Sequence, residues 1–295
     1  MSKAANNAYF AAAGLFAYGL GVGVWDVAMN VEGAAVEKRL GRTVMPRFHA
    51  AFSLGTVAAA GVGALTTGLG VPMLWHLGAV AAAVLLLAQP RGFLPRADEP
   101  HEGHDADRGR LPAWRAWLEP RTLLIGVMVF ALAVTEGTAN DWLAVALIDG
   151  YGVEHWVGVL GFGGFVTAMT VGRLVGPPLL DRHGRVPVLW GTMAAAVAGV
   201  LLIVYGGPLA VAGILLWGLG ASLGFPVGMS AAADDERHAA VRVSVVSTIA
   251  YTAFLAGPPL LGFVADRVGS LHALLVVALL LLPSALVVPA ARERA

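Results

Sequence analysis

Gly176-Pro177-Pro178-Leu179-Leu180-Asp181-Arg182-His183-Gly184-Arg185 has a counterpart later in the chain. That second stretch reads Gly257-Pro258-Pro259-Leu260-Leu261-Gly262-Phe263-Val264-Ala265-Asp266-Arg267-Val268-Gly269. Both run Gly-Pro-Pro-Leu-Leu and then reach an Asp-Arg-x-Gly turn. Three apolar stretches separate the turns, which places them on opposite sides of an apolar slab. Two three-helix units of opposite orientation are the signature of an inverted repeat. Gly-Pro pairs would kink membrane helices without any repeat, but kinks do not account for the shared Asp-Arg-x-Gly.

Working outward from this pair, stretches of the roughly 20 apolar residues that a spanning helix needs recur along the chain. Nine are found, at roughly 7–31, 48–69, 72–90, 122–147, 156–180, 186–206, 209–230, 243–264 and 271–288. Short breaks rich in Gly, Pro and charge separate them. The composition agrees: 58% of the 295 residues are hydrophobic and 13% charged, against about 25% charged in soluble domains. So much apolar surface requires lipid as part of the solvent. The expected fold class is therefore an all-α integral membrane bundle of about nine transmembrane helices, with the lipid bilayer as its first partner. There are no cysteines, so disulfides, thiolate metal sites and cysteine nucleophiles are excluded. A formal net charge of zero points away from nucleic acid. The start, Met1-Ser2-Lys3, does not read as a signal peptide.

Lys and Arg set the orientation. With the C-terminus cytoplasmic and the spans alternating backwards, every one of the 19 Lys and Arg residues except Lys3 and Arg267 falls inside. The expectation is a multi-pass protein of the cell (inner or plasma) membrane. The division expected is 1–90 as a partial N-terminal bundle of three helices, 91–119 as a cytoplasmic linker and 120–295 as a complete C-terminal six-helix bundle. His101, His104 and Asp105 in the linker admit a metal reading, but without ligands on a rigid element a plain polar linker is preferred. No metal or cofactor is expected.

The inside turn from Gly172-Arg173-Leu174 through Asp181-Arg182-His183-Gly184-Arg185 resembles the signature loop of major facilitator superfamily (MFS) transporters. Gly257-Pro258-Pro259 is similar to the Gly-Pro helix motif of the same superfamily. Several further stretches resemble its YbjJ-like branch: Trp25-Asp26-Val27-Ala28-Met29-Asn30, Phe48-His49-Ala50-Ala51-Phe52-Ser53-Leu54-Gly55, Glu136-Gly137 with Asp141-Trp142, and Gly224-Phe225-Pro226-Val227-Gly228-Met229-Ser230. That family has twelve helices. The resemblance therefore implies that the first three are absent and that residues 7–90 correspond to helices four to six. It also implies secondary-active transport of a small solute by alternating access, with proton coupling as an option and the substrate unidentified. The alternative is a non-transporting membrane fragment or interaction module. A chain this short would call for a partner supplying the missing helices.

A charge at the bilayer centre costs about 2.5–3.5 kcal/mol, and Glu136 stands mid-span. Asn140 follows one turn along the same face. Glu136 is read as a substrate- or proton-binding residue, or else as a protonated structural acid between helices. Asp26 and Asn30 share a face with Gly19, Gly23 and Gly33 and border either the cavity or a gate. Trp25 and Trp142 line a path or serve as packing anchors. His49, Asp181, Arg182, Arg185, Asp234 and Asp235 fall at cytoplasmic helix ends. The family resemblance implies a gate in which Arg182 or Arg185 meets Asp234 or Asp235, the alternative being ordinary positive-inside charge. By the same logic Glu37 and Arg242 would face the missing first-half loop. No arginine is expected at mid-membrane, which disfavours a strongly anionic solute.

Two strings look enzymatic. Gly220-Ala221-Ser222-Leu223-Gly224 matches a nucleophile elbow, which needs a strand-to-helix turn or a histidine on a neighbouring helix. His238 falls in a loop instead, so a glycine-rich packing seam is expected. Gly19-x-Gly21-x-Gly23 lacks the strand and acidic residue of a dinucleotide site and reads as a packing face. No enzymatic activity is expected.

Overall fold

The computed structural model of the chain describes residues 3–87 and 112–293. His101, His104, Asp105 and most of the expected linker lie outside the described residues. Of the described residues, 3–50 and 112–293 belong to one compact unit and 51–87 to a second.

Where they are described, the nine apolar stretches are largely helical, within bounds that differ from the hydropathy limits. α1 is Lys3–Leu40, α2 Met45–Gly68 and α3 Met73–Leu87; after the short α4 (Ala113–Ala116), α5 covers Pro120–Tyr151. α6 (His155–Val175) and α7 (Pro177–His183) lead to α8 (Arg185–Tyr205). α9 (Ala210–Ala221) and α10 (Gly224–Ala232) precede α11 (Ala239–Val268), and α12 (Ser270–Ala273) and α13 (Leu275–Ser284) finish the α-helices. Among the described residues, six helical stretches are long and apolar enough to cross a membrane, and two shorter apolar ones lie at Met73–Leu87 and Ser270–Ser284.

Helix ends depart from the hydropathy limits for local reasons. α1 continues through Glu32, Glu37, Lys38 and Arg39, because helix propensity is indifferent to charge, and it stops at Gly41 with φ 60°. α5 starts on Pro120, a residue suited to the first helical turn, and ends where Gly152 turns left-handed at φ 65°. The expected span 209–230 is interrupted at Ser222-Leu223, giving α9 and α10.

The two halves of the sequence repeat close in the same way. Gly184 (φ 76°, ψ 167°) and Gly269 (φ 85°, ψ 153°) each end one helix and begin the next with no loop between. Each donates its N–H to a carbonyl four residues back, Leu180 and Ala265 respectively, at 2.8 Å. Only glycine tolerates that positive φ without strain, so the turn is specified by one residue in each copy.

The core of the first unit lies among α5, α6, α8, α9, α10, α11 and α13. Trp217 and Phe165 meet edge-to-face at 5.4 Å, and Met128, Leu132, Leu189, Ile203 and Met229 are also fully enclosed. α8 and α9 approach backbone to backbone at Gly199 and Gly213. A Cβ on Gly199 would come within 2.6 Å of the Gly213 carbonyl, and one on Gly213 within 2.7 Å of the Gly199 carbonyl. This close approach is what small residues permit between membrane helices. In contrast, the first half of α1 presents Tyr9, Phe10, Leu15, Phe16 and Tyr18 outward.

Candidate functional site

Polar side chains enter the helix bundle at two levels. The inner level contains two carboxylates. Glu136, at the middle of α5, accepts a hydrogen bond from Arg173 Nη2 at 2.9 Å. Arg173 is only 3% exposed and also donates Nε to the Ser222 carbonyl at 3.2 Å. The expectation that no arginine stands at mid-membrane did not foresee this pairing. Arg173 lies in the last turn of α6, and its long side chain reaches the middle of α5. Asn140 is exposed one turn further along and makes no hydrogen bond to Glu136 among the described residues.

The second carboxylate is Asp26 on α1. Asn30 Nδ2 donates to its Oδ1 at 3.1 Å and to its carbonyl at 2.9 Å. From α11, Ser247 Oγ faces Asp26 Oδ2 at 3.3 Å, and the Tyr251 hydroxyl is a further hydrogen-bond partner. Asn30, fully buried, presents its Oδ1 to His49 Nε2 at 3.2 Å. His49 in turn packs edge-on against Phe225 at 5.4 Å and feels the charge of Arg173. Sequence reasoning named Asp26, Asn30 and His49, and the structure strings them together. It missed Ser247 and Tyr251, whose i, i+4 spacing inside the span 243–264 was the available signal.

The outer level is a belt of charge at one end of the bundle. Arg185 Nη1 and Arg121 Nη2 grip the two oxygens of Asp234 at 2.7 and 2.6 Å. Arg121 also donates to the Ala290 and Arg292 carbonyls, tying the start of α5 to the tail. Arg242 forms a fork on Glu119, at 2.7 and 2.9 Å, and reaches Asp235 at 3.1 Å. His238 meets Asp235 at 2.7 Å. The Arg242 guanidinium holds Glu119 below its ordinary 4.5. His238 first, and Arg242 after it, hold Asp235 below 3.8. A small cavity of about 160 Å³ opens beside Glu119, Arg121, Thr122 and Arg242.

At this same end α1 engages the rest of its unit. Glu37 accepts from the Val44 and Met45 amides at 2.7 and 2.6 Å and from the Ser230 hydroxyl at 2.6 Å. Lys38 pairs with Glu236 at 3.0 Å across an exposed surface, and Asp181 accepts from the Thr43 amide at 2.8 Å. Of the expected gate residues, Arg185 and Asp234 are joined directly. Arg182 is exposed and makes no ion pair among the described residues, while Asp235 turns to His238 and Arg242. Ser222 returns its hydroxyl to the Leu219 carbonyl at 2.6 Å, packed in a seam where a Cβ on Gly172 would strike it.

An all-helical bundle with apolar spans, an interior ion pair and a charged belt at one end defines a multi-pass membrane protein. A family model described as Major Facilitator Superfamily matches residues 1–241. An uncharacterized MFS-type transporter of Yersinia pestis is 34% identical over 276 residues, covering 91% of this chain and 69% of its own length. An uncharacterized transporter of Sinorhizobium fredii is 36% identical, covering 85% and 66%. The membrane protein MosC of Rhizobium meliloti is 29% identical, covering 88% and 62%. The chain thus spans about two thirds of the length of the relatives it matches. It belongs to the major facilitator superfamily, whose members are membrane transporters and not enzymes.

Proposed function

We propose that the chain moves a small solute across the inner or plasma membrane by secondary-active alternating access, using a proton as the coupling ion. The observation that carries this reading is the asymmetry along α1. Its second half is latched through Asp26, Asn30, Glu37 and Lys38, while its first half presents apolar side chains outward. A polar latch at one end of a helix is the kind of contact that alternating access makes and breaks. The latched end carries Arg121, Arg185, Arg242 and Lys38, and positive residues favour the cytoplasmic side, so the C-terminus is read as cytoplasmic. In this reading Glu136, Asn140, Asp26 and Asn30 border the solute and proton path, and residues 120–295 act as the C-terminal six-helix bundle. Arg185 with Asp234, supported by Asp181, Arg182, Asp235 and His49, forms the cytoplasmic gate. Lipid covers the apolar outward residues of α1, and a partner chain supplying further helices is the competing cover.

The chain has no cysteine, so a Glu37→Cys, Ser230→Cys pair can be cross-linked without background. Proteoliposomes given a pH gradient and a panel of radiolabelled small solutes should accumulate at least one of them. Cross-linking should abolish that uptake, and reduction should restore it. Folded protein that moves no solute above empty liposomes would favour the non-transporting fragment or interaction module.

A further inference from the structure

Among the described residues, Glu136 and Asp26 are carboxylates placed within apolar helices away from the charged belt, and a membrane interior penalises each charge unless something answers it. Glu136 is answered in full by Arg173, itself buried, hydrogen-bonded and close enough to form an ion pair. Protonating Glu136 would leave the guanidinium buried with its charge unmatched, a state more costly than the pair. Asp26 is answered by neutral groups alone: the Asn30 amide, the Ser247 hydroxyl and the Tyr251 hydroxyl. Among the described residues no Lys or Arg pairs with it.

The surroundings of Asp26 support the contrast. From α11, Ser247 and Tyr251 face it, while Arg242 at the start of that helix is occupied by Glu119 and Asp235. α10 reads Gly-Phe-Pro-Val-Gly-Met-Ser-Ala-Ala from Gly224 to Ala232 and has no ionisable side chain. Its Ser230 is turned to Glu37. α2 contributes His49, which faces Asn30 Oδ1. His49 in turn feels the charge of Arg173, which is paired with Glu136. Tyr251 is partly exposed, and Ser247 is buried.

Resting on the transport reading above, we infer that Asp26 is the proton-binding carboxylate and Glu136 is the fixed counter-ion of Arg173. One proton from bulk water forms an O–H bond at an Asp26 oxygen, and the anion becomes neutral. No other covalent bond changes. The ionised carboxylate is the shared acceptor for the α1 donor Asn30 and the α11 donors Ser247 and Tyr251. Protonation turns one of its oxygens into a donor and leaves the other a weaker, neutral acceptor, which loosens the seam between α1 and α11. Through Asn30, whose amide is oriented by Asp26 at one end and His49 at the other, the same event reaches the Arg173 side of the bundle.

Infrared difference spectra of the full chain in lipid nanodiscs, taken across a pH series, read the C=O stretch of a protonated carboxyl without any substrate. Asp26→Asn should remove the titrating band. A Glu136→Gln, Arg173→Gln double variant, which deletes both charges together, should retain it. Ser247→Ala and Tyr251→Phe should each keep the band and move its midpoint. A band that survives Asp26→Asn, disappears in the double variant, or keeps its midpoint in both hydroxyl variants overturns the assignment. Solute uptake by the proteoliposomes is a separate readout, so loss of the band assignment leaves the transport reading standing, and loss of uptake leaves the band interpretable.

Discussion

Glu136 and Asp26 are both aspects of the same difficulty, a carboxylate among apolar helices, and the molecule meets it in two different ways. Around Glu136 the answer is internal to one bundle: α5 supplies the acid, α6 the guanidinium and the seam at Ser222 the remaining acceptor. Around Asp26 the answer comes from two elements far apart in sequence, and all of it is neutral. The first arrangement fixes a charge where it is. The second leaves a charge that the membrane disfavours at the contact between α1 and α11, where a change of protonation alters what holds them together. Placement in mid-span is therefore a poor guide to a working residue until its partner is known.

The difference can be broken most severely at Arg173. Arg173→Ala should cost about 3–5 kcal/mol, because it strands the Glu136 carboxylate among buried side chains. Thermal unfolding in detergent, followed by loss of monodisperse protein, reads this loss. The double change Glu136→Leu, Arg173→Met should recover most of it, since a buried pair is commonly replaceable by apolar residues of similar volume.

A smaller effect is expected at the charged belt. Asp234→Asn weakens two charge-assisted hydrogen bonds, from Arg121 and Arg185, and should cost about 1.5–3 kcal/mol. It should also raise the labelling of a cysteine placed at Ser230. Exchanging the charges, Arg185→Asp with Asp234→Arg, should restore less than half of the loss, because Arg121 then faces a like charge.

Weaker again is the acid response of the belt. Glu119 and Asp235 have folded-state pKa values depressed by Arg242 and His238, respectively. Their contribution is therefore complete above the unfolded carboxylate values near 4 and is lost as pH falls through the lower folded values. Melting temperature should stay level from pH 7 to about pH 5 and decline below about pH 4. Arg242→Gln should flatten the part of that decline due to Glu119. Both carboxylates are partly exposed, so high salt should shrink the effect.

Much of this was legible in the sequence for physical reasons that stay local. Apolar runs of spanning length, Gly184 and Gly269 as turn residues, and the repeat that contains them all act within a few residues, and the helices follow them closely. Asp26, Asn30 and His49 were recognisable as polar residues on apolar helices. What pairing they adopt was not, because it depends on which helices lie together. Arg173 shows this best: it sits inside a stretch read as a span, yet its charge suggested a helix end. It does lie in the last turn of α6, and only the packing of α6 on α5 and the reach of its side chain place it beside Glu136. Ser247 and Tyr251 went unnoticed because hydroxyls are common in membrane helices and carry no charge to mark them.

The most direct test is a side-by-side melt of Glu136→Gln and Asp26→Asn in the same nanodisc lipid at pH 7. The account predicts a large fall for Glu136→Gln, which leaves Arg173 unmatched, and a smaller one for Asp26→Asn, which weakens the α1–α11 seam but also removes a charge that no cation answers among the described residues. Equal losses in the two variants, or a greater loss at Asp26, would contradict it.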